Sequence, residues 1–98
     1  MREFRPSNPA DAAAIAALLN AAGLHPVVRA EVERWKYWQP RADWAGSRSF
    51  VLADNDRLIA HGAVVPGELT WTGGSARVVF VGDWAADPAA TGAGVSVM

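Results

Sequence analysis

Val81-Gly82-Asp83-Trp84-Ala85-Ala86-Asp87-Pro88-Ala89-Ala90-Thr91-Gly92-Ala93-Gly94-Val95-Ser96 couples an apolar strand to a glycine-rich turn that opens a helix. In such a turn successive backbone N–H groups point into one concavity, and the helix N-terminus adds partial positive charge, so the segment suits a phosphate or pyrophosphate. Glycine serves because a Cβ would obstruct positive φ angles and the approach of phosphate oxygens. On these residues alone a turn with no ligand is an equally good reading. Two rival phosphate loops fit poorly. A Walker A loop ends in Gly-Lys-Ser/Thr, which is absent, and a dinucleotide fingerprint needs a third glycine where this chain has Val97.

Outward from that segment, Arg77-Val78-Val79-Phe80-Val81 reads as its incoming strand, paired through a Gly73-Gly74 turn with Leu69 to Thr72. Further back, Phe50 to Ala53 and Leu58 to Val65 flank the turn Asp54-Asn55-Asp56 and predict two buried antiparallel strands, the second closed by Pro66. Arg41 to Arg48 has no period and is expected to be a loop carrying Trp44. Val28, Val32 and Trp35 make a helical stripe from Pro26 to about Gln39. Before it, Asn8 as N-cap, Pro9 at the first helical position and Asp11 in the first turn start a helix. Its stripe is Ile15, Leu18, Leu19 and Ala22, and Gly23 is placed to end it. Met1 to Arg5 alternates weakly, as a first strand. The order is strand, helix, helix, antiparallel meander, glycine-rich turn: an α+β layout in one domain.

The run from Asp83 resembles motif A of the GNAT superfamily of acyl-coenzyme A-dependent N-acyltransferases. There a strand of the type Asp-x-Ala-Val-x-Pro leads through Gln/Arg-x-x-Gly-x-Gly/Ala into the cofactor-binding helix. Asp83-Trp84-Ala85-Ala86-Asp87-Pro88 sits at the strand end and Thr91-Gly92-Ala93-Gly94-Val95-Ser96 at the loop. The upstream element order follows the same path, and Trp35-Lys36-Tyr37 looks like a feature of one branch. The resemblance covers residues 1–98 as a single partial domain with a GNAT-like mixed sheet, ending just inside the cofactor helix. Two residues depart from the pattern: Thr91 replaces the Arg or Gln at the loop head, and Ser96 the Gly or Ala at its end. The first removes a long donor and leaves the backbone amides in place.

The resemblance implies acetyl-CoA or a longer acyl-CoA as co-substrate and a small-molecule or peptide amine as acceptor. It implies that the outgoing strand splays from its next neighbour at a bulge, that the pantetheine arm lies in the gap and bonds main chain near Trp84, Ala85 and Ala86, and that Thr91, Gly92, Ala93, Gly94, Val95 and Ser96 hold the pyrophosphate. A direct attack by the amine needs a base, an oxyanion donor and an acid for the leaving thiolate. A backbone N–H near Ala85 is the candidate donor. Asp83 and Glu68 are the candidate bases, against readings as a hydrogen-bonded structural carboxylate and an exposed hairpin charge. Tyr37, the only tyrosine, lies in the wrong element for the family's acid, which stays unassigned.

Composition bounds the partners. Nine Lys plus Arg against ten Asp plus Glu give a net charge of -1, so no basic surface points to nucleic acid or anionic membrane. The absence of cysteine excludes disulfides and thiolate chemistry and is compatible with a cytoplasmic setting. No apolar run approaches the roughly 20 residues of a membrane span, and no leader-like segment follows Met1. Five tryptophans, three of them Trp35, Trp38 and Trp44, read first as core packing. His25 reads as exposed and His61 as a satisfied strand histidine, and no metal is expected. Two other readings remain: a non-catalytic interaction module that keeps the fold, and a chain that pairs its apolar final strand with a second copy as a homodimer.

Overall fold

A computed structural model describes residues 1–24 and 34–90. The strands β1 (Arg2–Pro6), β2 (Ser49–Asp54), β3 (Arg57–Trp71) and β4 (Gly74–Ala86) form one sheet in sequential order, each antiparallel to the next. A 3-10 turn (Pro9–Asp11) leads into helix α1 (Ala12–Ala21), and a π-helical turn spans Arg34–Trp38.

The start of α1 follows its sequence signals. The Asn8 side chain accepts from Ala10 N–H at 2.9 Å and Asp11 Oδ2 accepts from Asn8 N–H at 2.9 Å, a reciprocal cap worth about 1 kcal/mol. Arg5 clasps the same Asp11 with two bonds of 2.8 and 3.0 Å, and that hydrogen bond, against burial, holds the carboxyl below the usual range. Gly23 adopts φ +82 and ends the helix, with Leu24 N–H reaching Leu19 O at 3.0 Å. Ile15, Leu18 and Leu19 are buried, whereas Ala22, expected on the same stripe, is exposed.

These three side chains cover one face of the sheet, packing with Tyr37 against Val51, Ala63 and Ala85. Burial of Ile15 or Leu19 contributes about 1.5–3 kcal/mol each. The opposite face gathers Leu52, Ile59 and Ala60, with Ala86 and Ala90 against them, and Phe4 stacks on Phe50 at 5.7 Å.

Two expectations are corrected here. The helical stripe expected up to Gln39 does not hold at Trp35: Arg34–Trp38 is a π turn, with Gln39 N–H bonded to Arg34 O at 2.6 Å, so Tyr37 and Trp38 turn inward while Trp35 is exposed. The Val28 and Val32 part of the stripe, and His25, lie outside the described residues. What secures the turn is Arg48, buried, whose guanidinium donates to the carbonyls of Trp35, Lys36 and Gln39 at 3.1, 3.1 and 2.5 Å. A cation there meets the carbonyls that a helix C-terminus leaves unpaired.

The second correction concerns Pro66, which does not close its strand: β3 runs through it to Trp71. Val64 donates its N–H to Arg48 O at 2.8 Å, so from Ala60 onward even-numbered residues of β3 point their main chain toward β2 and odd-numbered ones toward β4. At position 66 the β2 side has no strand left to pair, since β2 reaches only as far as Ala63, and the missing N–H of proline costs no ladder bond. Beyond Ala63 the hairpin continues as a two-stranded ribbon with Thr72-Gly73 at its tip, which stretches the molecule to 47 Å in its long dimension.

Candidate functional site at the β4 bulge

Along β3 and β4 the register runs Ala60 with Ala86 and His61 with Ala85, then Ala63 with Gly82. Asp83 and Trp84 therefore stand opposite Gly62 alone, a β-bulge with one extra residue on β4. Asp83 takes φ +48, a left-handed conformation that costs a non-glycine residue about 1–2 kcal/mol, least for Asp and Asn. Strain of this kind persists only where the surroundings over-determine it.

The surroundings of Asp83 do so from three directions. Its main-chain carbonyl lies 2.7 Å from His61 Nδ1, and its carboxylate accepts from Tyr37 Oη at 2.5 Å and from Lys36 Nζ at 2.6 Å. A carbonyl can only accept, so Nδ1 carries the proton and Nε2 of the neutral ring accepts from Ser49 Oγ at 2.8 Å. Ser49 then accepts from Ser7 Oγ at 2.5 Å, and Ser7 from the Trp38 indole N–H at 3.1 Å. Every donor in this chain, from Trp38 through Ser7, Ser49 and His61 to Asp83, has one acceptor and one sense. The Tyr37 ring packs edge-on against His61 at 5.2 Å.

Electrostatics follow from that wiring. His61 is fully buried, and burial lowers its pKa below 6.5 despite the Asp83 carbonyl and charge, with Lys36 adding to the fall, so the ring is neutral. Burial pushes the Asp83 carboxyl up, but hydrogen bonds from Lys36 and Tyr37 outweigh it and hold the group below the ordinary value. Asp83 is thus a standing carboxylate that accepts donors and holds a cation.

Past the bulge, Asp87 N–H bonds Ile59 O at 2.8 Å. Alternation back from that bond directs the main chain of Ala85 to β3 and that of Ala86 off the outer edge of β4. The donor near Ala85 that faces outward is therefore Ala86 N–H. The Ala85 side chain is buried under α1, that of Ala86 lies on the opposite face, and the Trp84 ring is half exposed. Asp87 ends the strand, ion-paired to Arg57, its Oδ1 accepting from Ala89 N–H at 2.9 Å and its carbonyl from Ala90 N–H at 2.9 Å. Thr91, Gly92, Ala93, Gly94, Val95 and Ser96 lie outside the described residues.

Glu68 is not brought to this place. It stands opposite Arg77, exposed, on a groove of about 350 Å³ that Arg41, Asp43, Trp44 and Arg77 also line. Asp83 lies six positions along β4 from Arg77, roughly 20 Å of strand, so the two candidate bases serve no common centre. Conversely, the structure assembles Lys36, Tyr37, His61, Ser49 and Ser7 around Asp83; the sequence reads His61 among them as a satisfied strand histidine, which it is, and gives none of them a part in the site. The available signal was the adjacency of the only lysine and the only tyrosine in Trp35-Lys36-Tyr37-Trp38. Among the described residues no three His, Cys, Asp or Glu groups converge on a metal position, and no helix is long and apolar enough to cross a membrane.

A family profile described as an acetyltransferase (GNAT) domain matches residues 3–97. No curated protein matches the sequence. Among solved structures, a probable N-acyltransferase of unknown function from Enterococcus faecalis V583 aligns over 99% of this chain and 24% of its own, at TM-score 0.71 and 14% identity. An acetyltransferase from Trypanosoma brucei aligns over 99% of this chain and 69% of its own, at TM-score 0.66 and 16% identity. A putative acetyltransferase from Agrobacterium tumefaciens C58 aligns over 97% and 67%, at TM-score 0.68 and 14% identity. The chain thus spans about a quarter of the Enterococcus protein and about two thirds of the other two. At these identities the likeness is one of fold.

Proposed function

Because this chain belongs to the GNAT acetyltransferase family, we propose that it takes part in transferring an acyl group from coenzyme A to an amine, with the edge of β4 past the bulge as its acyl-donor face. The observation that carries the reading is the bulge itself. By inserting Asp83 it turns the main chain of Ala86 outward beside a fixed carboxylate, at the end of β4.

Within that reading the roles divide by chemistry. Ala86 N–H, aimed off the sheet, bonds the acyl arm and is the nearest main-chain donor to an oxyanion developing beside it, where one such donor is worth about 3 kcal/mol in the transition state. Residues 91–96, which lie outside the described residues, are assigned to the pyrophosphate of acetyl-CoA or a longer acyl-CoA on their sequence alone. Asp83 stays ionised, so it suits holding the ammonium of the incoming amine better than removing its proton. Glu68 and Arg77, at the groove by the ribbon, lie too far along the β3–β4 hairpin to meet the same small acceptor and have no part in this reading.

The test is a thermal unfolding scan with and without excess acetyl-CoA. A ligand at a hundredfold its Kd stabilises by about 2.7 kcal/mol, which in a domain of this size raises Tm by roughly 10 °C or more. A cooperative transition that acetyl-CoA leaves unmoved rules the reading out for this chain.

A second reading is favoured by the lower half of the same strand. Val79, Phe80 and Val81 are about half exposed, and the alternation set by Val64 turns the main chain of Ser75, Arg77, Val79 and Val81 off the sheet. An apolar edge of this kind invites strand pairing with a second copy in a non-catalytic or homodimeric module. Mass in solution that rises with protein concentration, without acetyl-CoA binding, supports this reading over the first.

A further inference from the structure

Lys36 is the only lysine among the 98 residues. The π turn, anchored by Arg48, carries it to the bulge, where its Nζ lies 2.6 Å from Asp83 Oδ2 and its side chain keeps 35% of its exposure. In a protein that acylates amines, the carboxylate suited to an acceptor ammonium is therefore already occupied by a primary amine of the chain itself. We propose that Lys36 is a self-acylation site, its ε-amine taking the acyl group from an acyl-CoA held along Trp84–Ala86. The inference rests on the acyl-donor reading above.

Reach supports it. Trp84, Ala85 and Ala86 are the three residues after Asp83, so the donor edge begins at the next residue and extends no more than about 10 Å along β4 from the Asp83 Cα. A four-carbon stem with free torsions covers much of that span. An amine tethered at that range reacts as an intramolecular partner, at an effective concentration far above that of a dissolved acceptor. The other primary amine, the Met1 N-terminus, is bonded to Asp54 and Asn55 beside β1, three strands from β4 and so about 14 Å or more away.

The step balances without a further reagent. The Lys36 ammonium gives one proton to solvent, its lone pair forms the C–N bond, the C–S bond breaks, and the departing thiolate takes up, directly or through water, the second proton that the attacking nitrogen loses. The products are an Nε-acyl-lysine, coenzyme A as the thiol and one released proton. The acylated side chain is neutral, so Asp83 loses its ion pair and keeps the hydrogen bond from Tyr37.

The experiment incubates the folded protein with acetyl-CoA and follows intact mass, with peptide mapping to separate Lys36 from Met1. One acetyl group on Lys36 is expected, gained at least about ten times faster than in the urea-unfolded chain, at a rate per molecule that dilution of the protein does not change. Lys36→Arg, which keeps the charge and the partner, should gain nothing at this position while still showing the acetyl-CoA thermal shift. Labelling no faster than in the unfolded chain, or a rate proportional to protein concentration, overturns the inference. If the thermal shift is present and the label absent, self-acylation alone falls. If both are absent, in the wild type and in Lys36→Arg, the acyl-donor reading falls with it.

Discussion

Replacing His61 by Phe tests whether the buried hydrogen-bond chain holds the bulge. The ring is fully buried, and Phe preserves its bulk while removing both nitrogens. The substitution leaves the Ser49 hydroxyl proton without its acceptor and the Asp83 carbonyl without its donor. Rotating Ser49 toward Ser7 only moves the orphaned proton one residue along, because Ser7 already accepts from Trp38. Each buried polar group left unpaired costs about 1–3 kcal/mol, so with two of them a loss of roughly 2–6 kcal/mol is expected above neutral pH. The pH dependence adds a second readout. The folded-state pKa of His61 lies below the ordinary 6.5, so below that pH the unfolded chain binds a proton that the folded one refuses. His61 therefore contributes stability that is fully present above 6.5 and falls as pH drops toward the folded-state pKa, by up to about 1.4 kcal/mol per pH unit. The Phe variant should lack this slope. Urea unfolding followed by tryptophan fluorescence, from above pH 6.5 to one unit below it, measures both quantities. A variant within about 0.5 kcal/mol of wild type, or one that keeps the slope, would refute the assignment of His61 as the group that secures Asp83.

Further outcomes follow from the same geometry. Asp83→Asn, which tolerates the left-handed backbone, should be more stable than Asp83→Ala by about 1 kcal/mol in denaturant titrations. The Asp83 carboxyl is held below 3.8, so it contributes stability present above that pH and lost as pH falls through its folded-state pKa; both variants should lose that share of the acid dependence. Gly23→Ala should cost about 1 kcal/mol from backbone conformation alone, since nothing lies within 4 Å of the added Cβ at φ +82. Gly67→Ala should cost less, because its Cβ, 3.1 Å from the Phe80 ring, meets an exposed side chain that can swing away. Val79→Lys places a charge on the outward edge of β4 and should lower any concentration-dependent mass in sedimentation, while sparing the acetyl-CoA thermal shift.

Local chemistry was legible in the sequence. Asn8, Pro9 and Asp11 announced the helix start and Gly23 its end because capping is decided within four or five residues. The turn at Asn55, in the left-handed region at φ +57, was legible for the same reason. Pro66 misled, since a proline stops a strand only where its missing N–H faces a neighbour, and which neighbour it faces is a property of the sheet. The exposed Trp35 misled in the same way: a π turn shifts the side-chain phase, and Arg48, a dozen or so residues on, supplies the bonds that hold that turn.

What the sequence determined by itself, then, is the order of elements, their caps and tight turns, and the strand-to-glycine-loop run that resembles the acyl-donor motif, each encoded by residues adjacent in the chain. The tertiary structure alone decided that β4 carries one residue more than its partner between Ala63 and His61. It decided too that this residue is Asp83, and that Lys36, Tyr37 and His61 close on it from the π turn and from β3. A bulge belongs to a pair of strands, and the bonds that hold it join residues 22 to 47 positions apart. No periodicity within one strand records such a pairing; it exists only once the strands have met.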